Sequence, residues 1–329
     1  MPGLFSRLLA FLRKGLFPTR GGEREFYDRI ERGDVKYIME VGVPSIQPPE
    51  TPGPRPWRVP YIAEGVGEAS LLLLDPEALM YILMATEVTR DLLRSRGDGS
   101  KVLRDIAAFT RERPGYYYFD SVPEFGSEIR VLAGHGLVTG LYVSYGGKSY
   151  TGVEAYSVLE TLHWDDIAFT VSRVKPRLLE WRDEILSVYI RGLDNQHKYL
   201  VNTLNSLYHA TIAGESGSVA SSILKRLVDY TKFHFRSEEI LMEKYDYPQD
   251  RYMRHVKEHR AFVDATVKFR EKYERGEATL TVDVFKFLAT WIKNHVAGTD
   301  RDYGRYFLEI GIANYIPEHL KRQGVPKSQ

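Results

Sequence analysis

Between Leu193 and His295 the apolar stripes that should fill the inside of a helical unit are interrupted by five imidazoles and a carboxylate. Residues Ile223, Leu227, Tyr230, His234, Glu238 and Leu241 recur at spacings of three or four, the period of one helix face. His255, His259, Phe262, Thr266 and Phe269 repeat the pattern, as do Phe285, Leu288, Ile292 and His295, and His197 lies between Leu193 and Leu200. Each of four helical segments therefore turns at least one imidazole inward. A buried imidazole needs a partner, and a buried carboxylate needs compensation worth several kcal/mol.

Metal ions supply that compensation. His-xxx-Glu and His-xxx-His place both side chains one turn apart on the same face, where both reach a common centre. The chain has no cysteine, which excludes disulfides, thiolate catalysis and Cys-ligated zinc or iron–sulfur clusters. Nitrogen and carboxylate donors suit iron, manganese or zinc. Five histidines with at least two carboxylates are too many for one tetrahedral ion and enough for two octahedral ones.

From Trp181 the helical pattern runs for about 130 residues, broken at "TIAGESGS", "YDYPQ" and "ERGEAT". Four segments with three short connections predict an antiparallel four-helix bundle. The preceding region has a different texture. "GYYYFDS", "EIRVLAG", "LVTGLYVSY" and "IAFTVSRV" alternate like strands, while "DPEALMYILMATEVTRDLL" from Asp75 and "TGVEAYSVLETLHW" read as helices. The expected fold is thus two-domain, a mixed α/β N-terminal domain and an all-α C-terminal bundle, with the change near Val174. Residues 43–60 hold seven of the sixteen prolines and read as a linker. The expected division is 1–24, a basic amphipathic helix; 25–60, an N-terminal segment with that linker; 61–174, the mixed domain; 175–310, the bundle; and 311–329, a tail.

In order along the chain, "WRDEILSVYIRGLDNQHKYLVNTLNSL", "FHFRSEEILM", "YP", "HVKEHRAF" and "WIKNHVAGTDRDY" resemble the bacterial and archaeal hemerythrin-like proteins. The resemblance covers residues 181–307, about 40% of the chain. It implies a non-haem centre of two iron ions with an oxo or hydroxo bridge. His255, His259 and His295 would hold one iron, His197 and His234 the other, and Glu238 and Asp300 would bridge both. Dioxygen would bind reversibly at the iron with two histidines and be reduced there to a hydroperoxide. Trp291 and Ile292 match the family's pocket-lining positions, and a dry pocket favours reversibility.

His295 and Asp300 stand five apart, about 140° around an ideal helix, so a local widening is expected there, eased by Gly298. The connection from Pro248 to His255 is slightly longer than the family pattern. Glu239, beside Glu238, points off the stripe and reads as a solvated surface charge. Enzymes that activate oxygen at two metals use paired Glu-x-x-His motifs. Glu160 to His163 is the one such spacing here and falls outside the bundle, so binding without turnover is the expectation. Peroxide or nitric-oxide chemistry, iron storage and zinc binding stay open as alternatives.

The first 174 residues leave the function open between two readings. As an oxygen or redox sensor, the chain would pass the state of the metal site to a signalling partner through the N-terminal domain. As a carrier, that domain would only locate the bundle. The run from Gly134 to Val174 is loosely similar to small domains found beside bacterial signalling modules, and His135 and His163 within it read as surface or cap residues. "GHG" and "YGG" lack phosphate-loop spacing and read as turns. Residues 4–17 form a basic amphipathic stripe with no acid before Glu23, suited to a membrane surface or to a protein surface. That stripe is too short to span a bilayer and no cleavage site follows it, so the expected location is cytoplasmic or membrane-peripheral. A net charge of +1 offers no field to gather nucleic acid.

Overall fold

The computed structural model describes residues 21–43, 55–56, 58–74, 88–121, 127–175, 177–215 and 217–322. The basic helix expected over residues 4–17, the body of the proline-rich linker, residues 75–87 of the helix expected from Asp75, and the tail beyond 322 lie outside these.

Two helices come first, α1 (Gly21–Glu31) and α2 (Val35–Glu40), the second capped by the Asp34 side chain, which accepts from Tyr37 N. After α3 (Val66–Leu71), an antiparallel six-stranded sheet is built from β1 (Val88–Asp98), β2 (Tyr116–Ser121), β3 (Glu128–Gly134), β4 (Leu137–Tyr145), β5 (Lys148–Thr151) and β6 (His163–Arg173), in the order β1-β6-β2-β3-β4-β5. Helix α4 (Gly99–Arg111) follows β1, and α5 (Gly152–Leu159) follows β5. Phe119 pairs with Val171 on one side and Val131 on the other, and Val131 pairs with Leu141. This apolar row sits in one core with Val102, Leu103 and Ile106 of α4. Tyr116, Leu132 and Tyr142, on the opposite face, join the larger core of the helical region.

Two helix expectations are corrected: His163 and Trp164, the end of the helix expected over "TGVEAYSVLETLHW", open strand β6, where they pair with Asp98 and Gly97 of β1. Residues 88–93, the end of the helix expected from Asp75, belong to strand β1, where Leu92 pairs with Thr170 and Leu93 with Phe169 of β6. Pairing along a sheet edge outweighs local helix preference. Helix α4, which no sequence pattern had singled out, starts immediately after β1, with the Asp98 side chain accepting from Lys101 N.

The helical region begins with a single turn, α6 (Asp183–Leu186). Four long helices then follow: α7 (Arg191–Ile212), α8 (Gly217–Lys244), α9 (Gln249–Glu274) and α10 (Val282–His295). Helix α10 runs through a π-turn, Val296–Asp300, into α11 (Arg301–Glu309), and α12 (Glu318–Arg322) closes the described chain. Among the described residues no helix is long and apolar enough to cross a membrane.

The sheet region and the first two helices meet the helical region at different places. Gly65 N donates to Gly214 O at 2.9 Å and Tyr273 OH to Glu68 at 2.9 Å, beside the α7–α8 connection and the C-terminal end of α9. Gly214, with φ of +65°, brings that connection against Ala63 and Thr139. Helices α1 and α2 instead lie across α7 and α8. Phe26 stacks on Tyr230 at 5.5 Å, Tyr27 lies 4.1 Å from Phe233, and Asn195 Nδ2 donates to Val41 O at 3.1 Å.

Candidate metal centre

All seven residues with a ligand-like spacing converge. His197 comes from α7, His234 and Glu238 from α8, His255 and His259 from α9, His295 from the end of α10 and Asp300 from the end of the π-turn. Each is at most 4% exposed. Their donor atoms form two groups, Glu238, His255, His259, His295 and Asp300 in one, and His197, His234, Glu238 and Asp300 in the other. Within each group every donor lies within 4.8 Å of the others.

The local backbone explains how the pairs share a face. His234 with Glu238, and His255 with His259, are one α-turn apart. His295 and Asp300 would diverge on an α-helix. The π-turn takes up the extra residue, and His295 Nε2 lies 3.0 Å from Asp300 Oδ1. The widening expected from the five-residue spacing is present, but Gly298 sits in it at an ordinary φ and in open space.

The two carboxylates divide their oxygens between the groups. Glu238 Oε1 is 3.2 Å from His197 Nε2 and 3.5 Å from His234 Nε2, whereas Oε2 is 3.1 Å from His259 Nε2 and 3.5 Å from His255 Nε2. Asp300 Oδ2 is 3.1 Å from His197 Nε2, whereas Oδ1 faces His255 at 3.3 Å and His295 at 3.0 Å. Despite these approaches Glu238 Oε2, both Asp300 oxygens and His255 Nε2 make no hydrogen bond. They cluster within each group without satisfying one another. Buried charged acceptors left in this way are unfavourable unless a cation shares them, and the donor set is the nitrogen–oxygen type that iron accepts.

The electrostatics agree. Burial opposes charge on both carboxylates, but the surrounding imidazoles outweigh it and hold Glu238 and Asp300 well below the usual carboxylate range. Burial also works against a charged His197, yet Asp300 and Glu238 carry it up to about 9, and the same opposition, led by Asp300, carries His295 up to about 10. Burial dominates at His234, which falls to about 3 and is the neutral ligand form at ordinary pH. Two ionised carboxylates inside the protein thus attract positive charge, which metal binding meets by displacing protons.

A further layer holds the candidate ligands in place. Tyr303, fully buried, donates to Glu238 Oε1 at 2.6 Å. Gln196 Oε1 meets His234 Nδ1 at 3.0 Å, and Gln196 Nε2 donates to Ser237 Oγ at 3.2 Å. Glu258 Oε2 meets His295 Nδ1 at 2.9 Å. Glu239 corrects the reading from sequence. Its side chain is 19% exposed and its Oε1 lies 3.4 Å from His259 Nδ1, so it is a partner of a ligand and not a solvated surface charge. A helical wheel of α8 cannot reveal this, because the partner comes from α9. Gln196 and Glu258 carried a signal only in hindsight, each standing beside a ligand histidine, and Tyr303 lies one turn beyond Asp300.

Aromatic rings wall the centre. Phe235 stacks on His259 at 3.7 Å, and Trp291 stacks on His295 at 4.3 Å. Trp291 is half-buried against His295, and Ile292 is buried one residue further on in α10. Trp291 covers the three-histidine group and lines a surface cleft of about 620 Å³ with His295 and Glu258. His135 and His163 are exposed and outside both groups.

The hemerythrin HHE cation binding domain matches residues 188–307. Bacteriohemerythrin of Pseudomonas aeruginosa is 34% identical over 125 residues, 38% of this chain and 78% of the relative. That of Methylococcus capsulatus is 29% identical over 127 residues, 39% of this chain and 95% of the relative. A crystal structure of wild-type hemerythrin is 31% identical over 39% of this chain and 96% of its own, with a TM-score of 0.37. The hemerythrin family binds a non-haem di-iron centre, and the cluster of His, Glu and Asp described above could hold such metals. The chain belongs to the hemerythrin family through residues 188–307.

Proposed function

We propose that α7 to α10 form an antiparallel four-helix bundle around two iron ions, and that the protein binds dioxygen reversibly there as an oxygen or redox sensor. His255, His259 and His295 hold one ion, His197 and His234 the other, and Glu238 and Asp300 are shared. The observation that carries this assignment is that each carboxylate turns one oxygen toward each histidine group. Iron held by these donors would supply the electrons for dioxygen binding.

The chain's own residues do the rest. Glu238 and Asp300 stay ionised and neutralise part of the cationic charge. Tyr303 keeps its proton on the hydrogen bond to Glu238 Oε1, since burial and the nearby carboxylates push its pKa well up. Buried Leu241, Phe262 and Ile292 keep bulk water away.

A sensor is favoured over a simple carrier by the docking of residues 21–43. Tyr27 packs on Phe233, next to His234, and Val41 is held by Asn195, two residues before His197. Movement of the two-histidine ligands is thus one side chain away from α1 and α2. The sheet region docks at Gly214, seventeen residues from His197 and about 25 Å along a helix. Residues 61–174 then serve as the regulatory unit that a signalling partner reads.

The test is to load the protein with iron without air, determine iron per chain, and record absorption before air, after air and after its removal. A reversible visible band with about two irons per chain is expected; no band, or a band that never reverses, sinks oxygen binding. Hydrogen exchange over residues 21–43 should differ between the two states, and identical exchange rejects the sensor.

A further inference from the structure

The groups behind the ligand histidines are unevenly charged. Each imidazole turns Nε2 toward the shared carboxylates and Nδ1 away. On the three-histidine half, Nδ1 of His295 meets Glu258 at 2.9 Å and Nδ1 of His259 meets Glu239 at 3.4 Å. On the two-histidine half, Nδ1 of His234 meets the amide oxygen of Gln196 at 3.0 Å, and Nδ1 of His197 has no hydrogen-bond partner among the described residues. Nδ1 of His255 likewise has no hydrogen-bond partner among the described residues, so at Nδ1 carboxylates back two of three imidazoles on one half and an uncharged amide backs one of two on the other.

Glu258 is held firmly. Its Oε2 also accepts from Thr299 Oγ1 at 2.9 Å, inside the π-turn that joins His295 to Asp300. It therefore ties α9, which carries His255 and His259, to the segment carrying His295 and Asp300. Glu239 is the weaker of the pair, because its contact is longer and Arg236 shares it at 3.6 Å.

A carboxylate on Nδ1–H fixes the tautomer and makes the imidazole a stronger donor through Nε2. A glutamine fixes the tautomer equally well but adds no charge. Extra negative charge close to a metal favours its higher oxidation state, and solvent screens part of it at Glu258, whose side chain is 47% exposed. We propose that Glu258 and Glu239 are positioning residues that make the three-histidine half the more easily oxidised half of the centre. On this basis the first electron lost to a one-electron oxidant such as ferricyanide leaves from that half, while the Nδ1 proton stays between His295 and Glu258. The inference rests on the ligand assignment under Proposed function.

Potentiometric titration of the iron-loaded protein, with iron content determined first, resolves the two one-electron couples. Glu258→Gln should raise the lower couple, shifting the oxidised-to-reduced ratio at fixed potential about tenfold toward reduced, which is 59 mV. The upper couple should move less, so the separation narrows. Gln196→Glu, which puts a carboxylate behind His234, should lower the upper couple and also narrow the separation. Equal movement of both couples, or no movement in either variant, overturns the proposal. If Glu258→Gln loses iron, Gln196→Glu decides alone. In zinc-loaded protein the Nδ1 proton of His295 should move upfield on Glu258→Gln, and an unchanged resonance also overturns it. A wild-type chain that holds far fewer than about two irons contradicts the ligand assignment itself, a result separable from the couples.

Discussion

His295 and Asp300 lie five residues apart, yet His295 Nε2 is 3.0 Å from Asp300 Oδ1 because a π-turn replaces the α-turn between them. Asp300 also reaches His197 through its other oxygen, at 3.1 Å, so a single side chain serves both halves of the centre. Asp300→Ala should therefore lower iron content further than His234→Ala, which removes a donor from one half alone. Metal analysis after anaerobic loading checks the order; equal losses would contradict the shared role.

Bound metal adds to stability by mass action. At a free concentration a hundredfold above Kd the gain is about 2.7 kcal/mol, so chelation should lower the melting temperature while far-ultraviolet dichroism keeps its helical form. Loss of helicity on chelation would show that the apolar positions cannot hold the fold without the ions.

Tyr303→Phe removes the hydrogen bond to Glu238 Oε1 and changes little else in volume. Hydrogen bonds to charged groups contribute roughly 1.5–3 kcal/mol, and loss of such outer partners weakens metal binding about tenfold or more. Urea unfolding of the chelated protein and iron competition measure the two effects separately. An unchanged affinity would mean that Tyr303 only fills space.

The docking of α2 on α7 depends on two glycines. A Cβ on Gly192 would sit 1.8 Å from Ile38 O, and one on Gly42 would sit 2.1 Å from Gly192 O. Backbone cannot yield as a flexible side chain does, so Gly192→Ala should destabilise by roughly 1–3 kcal/mol or more and raise hydrogen exchange over residues 35–43. Gly298→Ala is the contrasting variant. No atom lies within 4 Å of its Cβ position, and a gain of about 0.5–1 kcal/mol with unchanged iron content is expected.

Asp194 provides a pH test outside the ligand set. It accepts from Ser187 Oγ at 2.7 Å and Val188 N at 2.8 Å, but burial outweighs these bonds and lifts its pKa to about 6. Its folded pKa lies above the ordinary aspartate value near 4, so the folded state binds the extra proton between the two values. Its contribution to stability is then fully present below about pH 4 and lost as pH rises through about 6. Comparing Asp194→Asn with the unaltered chain, the aspartate protein should lose roughly 1–3 kcal/mol relative to the variant between those values. Parallel unfolding curves at both pH values would refute the shift.

Six of the seven candidate donors were legible because they break apolar stripes of helical period, and period alone places His234 with Glu238 and His255 with His259; Asp300 was legible only through the family resemblance. Strands β2, β3, β4 and β6 were legible from alternation. Strand β1 was not, since "VTRDLL" suits either state until β6 lies beside it. Glu239 was misread because its own helix offers it no partner, and His259 arrives from α9.

The sequence by itself therefore determined which residue types face inward, that cysteine chemistry is absent, and that five histidines and Glu238 share the helical interior. These follow from period and composition, which are local properties. Only the tertiary structure decided how Glu238 and Asp300 divide their oxygens, which histidines receive a charged partner at Nδ1, and where α1 and α2 rest. Those depend on distances between segments far apart in the chain, set when helices pack and backbones such as Gly42 and Gly192 meet.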